Sequence, residues 1–199
     1  MINFTLFSAL TTFYFTMFFT PGPNNAMLTA SGMKFGFIKT LPHLTGITLG
    51  HIIQISLTCF GLAKLFLIYP QVQFYMKILC FLYLLYLGWK MIGSLSLIQK
   101  KTGRPLKFYE ASLFQFINPK AWSIAVTVAS GFFPSEENIF IGVAFVVSTA
   151  AIINFPTCSL WALFGSGLRK FINNEKTKKI IEYLLALLLV LTGLFILIK

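Results

Sequence analysis

Thr20-Pro21-Gly22-Pro23-Asn24-Asn25 decides how this chain is read. The stretch follows an almost uncharged run, residues 4–19, rich in Phe, Thr and Leu. Two prolines and a glycine stop the helix that this run would form. Two side-chain amides come next. In water the stretch would be an ordinary loop. Inside a bilayer, broken backbone survives only where protein buries it or where it lines a cavity.

Composition selects the bilayer. The 199-residue chain is 57% hydrophobic and only 11% charged, with a mean hydropathy of +0.81. Soluble domains carry about 25% charged residues, and a soluble fold of this size could not hide so much apolar side chain. The expected fold class is therefore an all-α integral membrane protein, one transmembrane domain over residues 1–199. Net charge is +11, from fourteen Lys, two Arg and five Glu with no Asp. The basic residues fall between apolar segments, which argues for loops facing an anionic membrane surface rather than for nucleic acid. The N-terminus has no basic leader and no A-x-A site, so the first segment is expected to remain as a helix.

Six apolar segments approach the ~20 residues that a bilayer needs. They cover residues 4–19 with a continuation to 31, 41–62, 78–97 with an extra turn at 74–77, 111–133, 139–164 and 180–198. Lys34 and Lys39 follow the first. Lys100, Lys101, Arg104 and Lys107 follow the third, and Arg169, Lys170, Lys176, Lys178 and Lys179 follow the fifth. The connection after the fourth carries only Glu136 and Glu137. The positive-inside rule makes the three basic connections cytoplasmic and both termini external. Lys64 and Lys77 flank a loop that this topology makes external, and a five-span arrangement with a re-entrant first segment stays open.

The halves, about 1–98 and 108–199, echo each other across a basic cytoplasmic loop. Pro21 and Pro23 break segment one, and Asn118-Pro119 interrupts segment four. Phe60-Gly61 closes segment two and Phe164-Gly165 segment five, with Gly88 and Gly193 at matching distances beyond. Three helices per half would make the two halves inverted repeats, with a site between them. Chance likeness between apolar helices is the competing reading.

Several residues could carry chemistry. Pro23 suits the first position of a new helix, whose unpaired N–H groups and partial positive charge attract a carboxylate. Asn24 or Asn25 can satisfy backbone groups freed at the break. If segment four starts near Ala111, Lys120 lies roughly 13 Å along it. A charge at that depth should face a cavity or a partner; a later start would leave it among headgroups. Pro42, Gly46, Gly50, Gln54 and Thr58 recur every four residues, a stripe that permits close helix approach. His51 borders the stripe, either as a packing histidine or as a proton carrier. Glu110 and Glu182 sit at segment ends, where solvated charge is expected. Cys59, Cys80 and Cys158 form no CxxC pair, and no metal site or cofactor is expected. A catalytic set is not evident. A membrane thiol-redox protein is the alternative reading, and it would need paired cysteines.

Thr20-Pro21-Gly22-Pro23-Asn24, the Gly46/Gly50 helix, Tyr83-Leu84-Leu85-Tyr86-Leu87-Gly88-Trp89 and Phe116-Ile117-Asn118-Pro119-Lys120-Ala121 together resemble the LysE/RhtB family of amino-acid exporters. The TPGPNN form and Cys158-Ser159-Leu160-Trp161-Ala162-Leu163 look most like its branch exporting cysteine and O-acetylserine. The resemblance implies a six-helix bacterial inner-membrane exporter of amino acids or close metabolites, driven by the proton gradient. No Asp and no mid-membrane Glu faces a cationic substrate side chain, which favours a zwitterionic or small polar one. The expected substrate-binding residues are Pro21, Gly22, Pro23, Asn24, Asn25, Asn118, Pro119 and Lys120. His51 is the candidate for proton coupling, and Gly46, Gly50 and Gly88 are expected in helix packing. The expected partners are an amino acid, protons and the lipid bilayer, with a homodimer left open.

Overall fold

A computed structural model describes residues 2–20, 22–62, 68–92, 103–134, 137–168 and 175–198. Pro21, Lys64, Lys100, Lys101, Glu136, Arg169 and Lys170 lie outside the described residues. The described residues form eight α-helices and no strand. These are α1 (Phe4–Phe19), α2 (Pro23–Phe35), α3 (Phe37–Leu57), α4 (Pro70–Met91), α5 (Phe108–Ile117), α6 (Pro119–Gly131), α7 (Ile139–Leu168) and α8 (Glu175–Ile198). A π-turn, Thr58–Leu62, extends α3 and is kinked at Gly61, whose φ of 117° suits glycine. Among the described residues, two helices are long and apolar enough to cross a membrane, Phe37–Gly61 and Ile139–Leu168. Phe4–Phe19 and Ile78–Trp89 are shorter apolar helical stretches.

The segments at 4–19 and 111–133 behave alike. Extended backbone at Thr20 and Gly22 follows the first helix and at Asn118 the other, and a proline, Pro23 or Pro119, starts the next helix. Segment three begins earlier than expected, at Pro70, because proline supplies a ready first helical residue. Gly165 departs from expectation. It does not close a helix but lies inside α7, pressed against the Thr29 carbonyl of α2.

The order of contacts sets relative directions. Phe7, Tyr14 and Phe19 of α1 meet Phe145, Val146 and Trp161 of α7 in turn, so these helices run the same way. Gly46, Gly50 and Gln54 of α3 meet Phe108, Ser112 and Gln115 of α5 in turn, so these also run together. Thr48 of α3 bonds Asn154 of α7, while Ile55 clusters with Val146 and Ala150, which makes α3 and α7 antiparallel. Gly88 of α4 faces Ala186 of α8, and Gly193 of α8 faces Phe81 and Leu84, again antiparallel.

The ends also sort. The Ile2 backbone N–H donates to Glu137 Oε1 at 3.3 Å, so the start of α1 and the α6–α7 connection share one end. Lys34 Nζ, at the last turn of α2, lies beside Gly103 before α5, at the other end. Four apolar clusters pack among the described residues, and two of them flank the helix breaks. One gathers Leu10, Tyr14, Phe18, Ile124 and Val128 with Ile55 and Val146. The other gathers Leu28, Leu44, Ile47, Ala111, Cys158 and Ala162. The polar residues of the two breaks lie between them, bordered by Phe18 and Ile124 of the first and Cys158 of the second.

Candidate functional site

The first break begins with Thr20, whose backbone is extended at φ −64°, ψ 141°, as the residue before a proline must be. Gly22 is fully extended, and Pro23 opens α2 with no side chain capping its N-terminus. The carbonyls at the end of α1 need other donors. Asn25 supplies them, with Nδ2 donating to the carbonyls of Phe18 and Thr20 at 2.8 Å each. Asn24 takes a different role. Its amide pairs reciprocally with that of Gln115, at 2.8 and 3.2 Å.

The second break is centred on Asn118, again extended ahead of a proline. Its Oδ1 caps α6 by accepting from the Lys120 backbone N–H at 3.1 Å. The carbonyls freed here also find side chains. Trp122 Nε1 donates to Phe116 O at 2.9 Å, and Gln54 Nε2 donates to Gln115 O at 3.1 Å. Lys120 then joins the breaks. Its Nζ donates to the Thr20 carbonyl at 2.8 Å and to Thr20 Oγ1 at 3.0 Å, across 100 residues of sequence. Gly22 makes room for it, because a Cβ there would stand 2.9 Å from Lys120 Cδ.

A cavity of about 30 Å³ lies where the breaks meet, a space for one or two waters and smaller than an amino acid. Gly22, Pro23, Asn24, Asn25, Asn118 and Lys120 line it, and so does His51. Six of the eight expected binding residues therefore share one cavity. Pro119 starts α6 beside it, and Pro21 lies outside the described residues. His51 is buried, 3% exposed, with the Phe18 ring edge-on at 5.2 Å. Its Nδ1 pairs with Gln54 Oε1 at 3.2 Å, and its Nε2 has no hydrogen-bond partner. Asn154 closes the cavity from α7, its Oδ1 accepting from Thr48 Oγ1 at 2.9 Å.

Gly46, Gly50 and Gly88 all lie at helix contacts. A Cβ on Gly46 would strike the Phe108 carbonyl, and one on Gly50 would stand 2.6 Å from that of Ser112. A Cβ on Gly88 would stand 3.3 Å from the Ala186 carbonyl.

Gln115 and Asn154 escaped the sequence reading as site residues. Gln115 had a signal, as the lone amide in an apolar run three residues before Asn118. Glu182 also departs from expectation. It is buried, 2% exposed, within α8 rather than solvated at a segment end, because α8 starts earlier, at Glu175. Glu110 caps α5 and is held by Arg104 at 2.6 and 2.7 Å. The guanidinium and the Lys107 backbone N–H hold its carboxyl at about 2, well below its usual range. The three cysteines are free and pack with three different clusters, so none pairs with another. Among the described residues no group of His, Cys, Asp or Glu could hold a metal ion.

The family profile described as LysE type translocator matches residues 15–199. A cysteine/O-acetylserine efflux protein of Salmonella paratyphi A is 30% identical over 189 residues, covering 93% of this chain and 94% of that protein. A cysteine/O-acetylserine efflux protein of Escherichia coli K12 is 29% identical over 187 residues, covering 94% of each. No solved structure matches. With a translocator profile over nearly its whole length and efflux proteins as relatives, this chain is a transporter rather than an enzyme, and it belongs to the LysE family.

Proposed function

We propose that this chain is a six-span exporter of small neutral amino acids or close metabolites, cysteine and O-acetylserine foremost, across the bacterial inner membrane and driven by the proton gradient. The observation that carries this reading is the Lys120–Thr20 bridge, which brings the two helix breaks together at a polar cavity inside an apolar chain. Two inverted halves, α1–α4 and α5–α8, account for the paired directions of α1 with α7 and α5 with α3. Large apolar side chains such as Ile38, Trp89, Phe140 and Ile152 stand more than two-thirds exposed, which suits a surface facing lipid. The basic end, with Lys34, Arg104 and Lys107, faces the cytoplasm.

In this mechanism a zwitterion is read by charge at both ends. Lys120 leaves the Thr20 carbonyl and pairs with the substrate carboxylate, to which the first N–H groups of α2 also contribute. The carbonyl that Lys120 vacates becomes an acceptor for the substrate ammonium. The lysine thus stands in for the ammonium while the site is closed. Loading requires the breaks to part, since the cavity is too small for an amino acid. Among the described residues the cavity lining contains no carboxylate, so a cationic side chain would find no counter-charge there. The names of the relatives point to the same neutral class.

A panel of extracellular metabolites tests the reading. Cells overexpressing the protein should accumulate cysteine or O-acetylserine outside and tolerate toxic analogues of them. Well-inserted protein that raises no amino acid outside the cell contradicts it.

A further inference from the structure

His51 differs from every other polar group around the cavity. It is buried, it lines the cavity, and its Nε2 has no partner. Gln54 explains which form the ring takes. Gln54 Nε2 is committed to the Gln115 carbonyl, so Gln54 Oε1 faces His51 Nδ1 as an acceptor. A ring N–H must then sit on Nδ1, and neutral imidazole carries only one. Nε2 is left as a buried bare lone pair on a side chain that lines the cavity. The cavity is otherwise rich in donors, including Lys120 and the amide of Asn118, whose Oδ1 is already engaged.

A bare acceptor in such a place has two natural occupants, a proton and the ammonium of an amino acid. They exclude each other. Neutral Nε2 can accept an N–H from the substrate, whereas protonated Nε2 presents a donor and a positive charge to it. Resting on the exporter reading above, we propose that His51 Nε2 is shared in turn by the proton and the substrate ammonium, and that Gln54 is the positioning residue that keeps it available. Substrate arriving from the cytoplasm displaces the proton, and a proton entering from outside displaces the substrate. Exchange follows from competition at one atom, without a separate proton site. Around the ring, α1 presents Phe18 and its neighbour Tyr14, α2 presents Asn24 and Asn25, and α3 presents Gln54. On the far side, α5 contributes Gln115 through Gln54, α6 contributes Lys120, and α7 contributes Asn154 and Cys158. Lys120, Tyr14 and Cys158 are thus the other titratable groups near the ring, and the variants below separate them from His51.

The test is binding of O-acetyl-L-serine to the purified full chain in nanodiscs, with proton release read in weak buffer. Affinity should fall by about tenfold per unit of pH below the titration of the ring, and binding there should expel about one proton. His51→Gln should bind more weakly, with no proton expelled and a flat profile across the pH range over which wild-type affinity changes. Gln54→Glu places a carboxylate against Nδ1–H, favours the imidazolium, and should move the wild-type profile to higher pH. A merely structural role for Gln54 would weaken binding without moving the profile. Wild-type binding that is independent of pH overturns the inference, as does a His51→Gln variant that keeps the slope. Counterflow of O-acetyl-L-serine in proteoliposomes, with no proton gradient, separates this inference from the exporter reading. Counterflow without proton release refutes the shared atom alone, whereas absence of counterflow contradicts the exporter reading and this inference with it.

Discussion

At the scale of single residues, two adjacent asparagines do different work. Asn25 satisfies two carbonyls at the end of α1, and Asn24 reaches across to Gln115. Asn25→Ala should cost ~1–3 kcal/mol of stability, because it strips buried acceptors of their donor. The loss should appear as a lower unfolding temperature in detergent, and Asn25→Asp should not restore it, since a carboxylate has no N–H to give. Glu110 makes a prediction in pH. Its folded carboxyl lies near 2 against an ordinary 4.5, held down first by Arg104. A depressed carboxylate contributes stability that is complete above 4.5 and is lost as pH falls toward 2. Glu110→Gln should therefore lower the unfolding temperature at neutral pH and leave it little changed near pH 2. The sequence made Asn24 and Asn25 candidates together, because both amides sit at a break. Which carbonyl each one meets depends on helices far along the chain, and no local pattern carries that.

Helices meet in this protein where glycine lets backbones touch. The four-residue stripe on α3 was legible from spacing alone. Its partner was not, since periodicity gives the face of a helix and not what lies against it. The partner is α5, with the Phe108 and Ser112 carbonyls against Gly46 and Gly50. Gly46→Ala should destabilise by ~1–3 kcal/mol through overpacking against backbone that cannot turn aside. Gly131, at the end of α6 with open space around its Cα, is the control. Gly131→Ala should be neutral or gain up to ~1 kcal/mol. Thermal unfolding of the three proteins side by side decides this. Gly165 shows the limit of reading by analogy. Its likeness to Gly61 suggested a helix end, but close packing on Thr29 is what its missing side chain serves.

For the whole molecule, the broken first and fourth segments were visible as Pro-rich interruptions of apolar runs. That the two breaks touch was not visible, because it depends on how the halves cross. Topology can be tested directly in a variant with Cys59, Cys80 and Cys158 changed to Ser. Asn138→Cys should react with an impermeant maleimide on intact cells, and Lys107→Cys only after permeabilisation. Reaction of both from outside would contradict the six-span arrangement.

In the proposed mechanism, substrate sits between the breaks with its carboxylate on Lys120. Counterflow of O-acetyl-L-serine by purified Lys120→Met protein in proteoliposomes tests it most directly. Losing a charge-assisted hydrogen bond worth ~1.5–3 kcal/mol should slow exchange by at least about tenfold, with Gly131→Ala exchanging like wild type. Folded Lys120→Met protein that exchanges at the wild-type rate would contradict the claim.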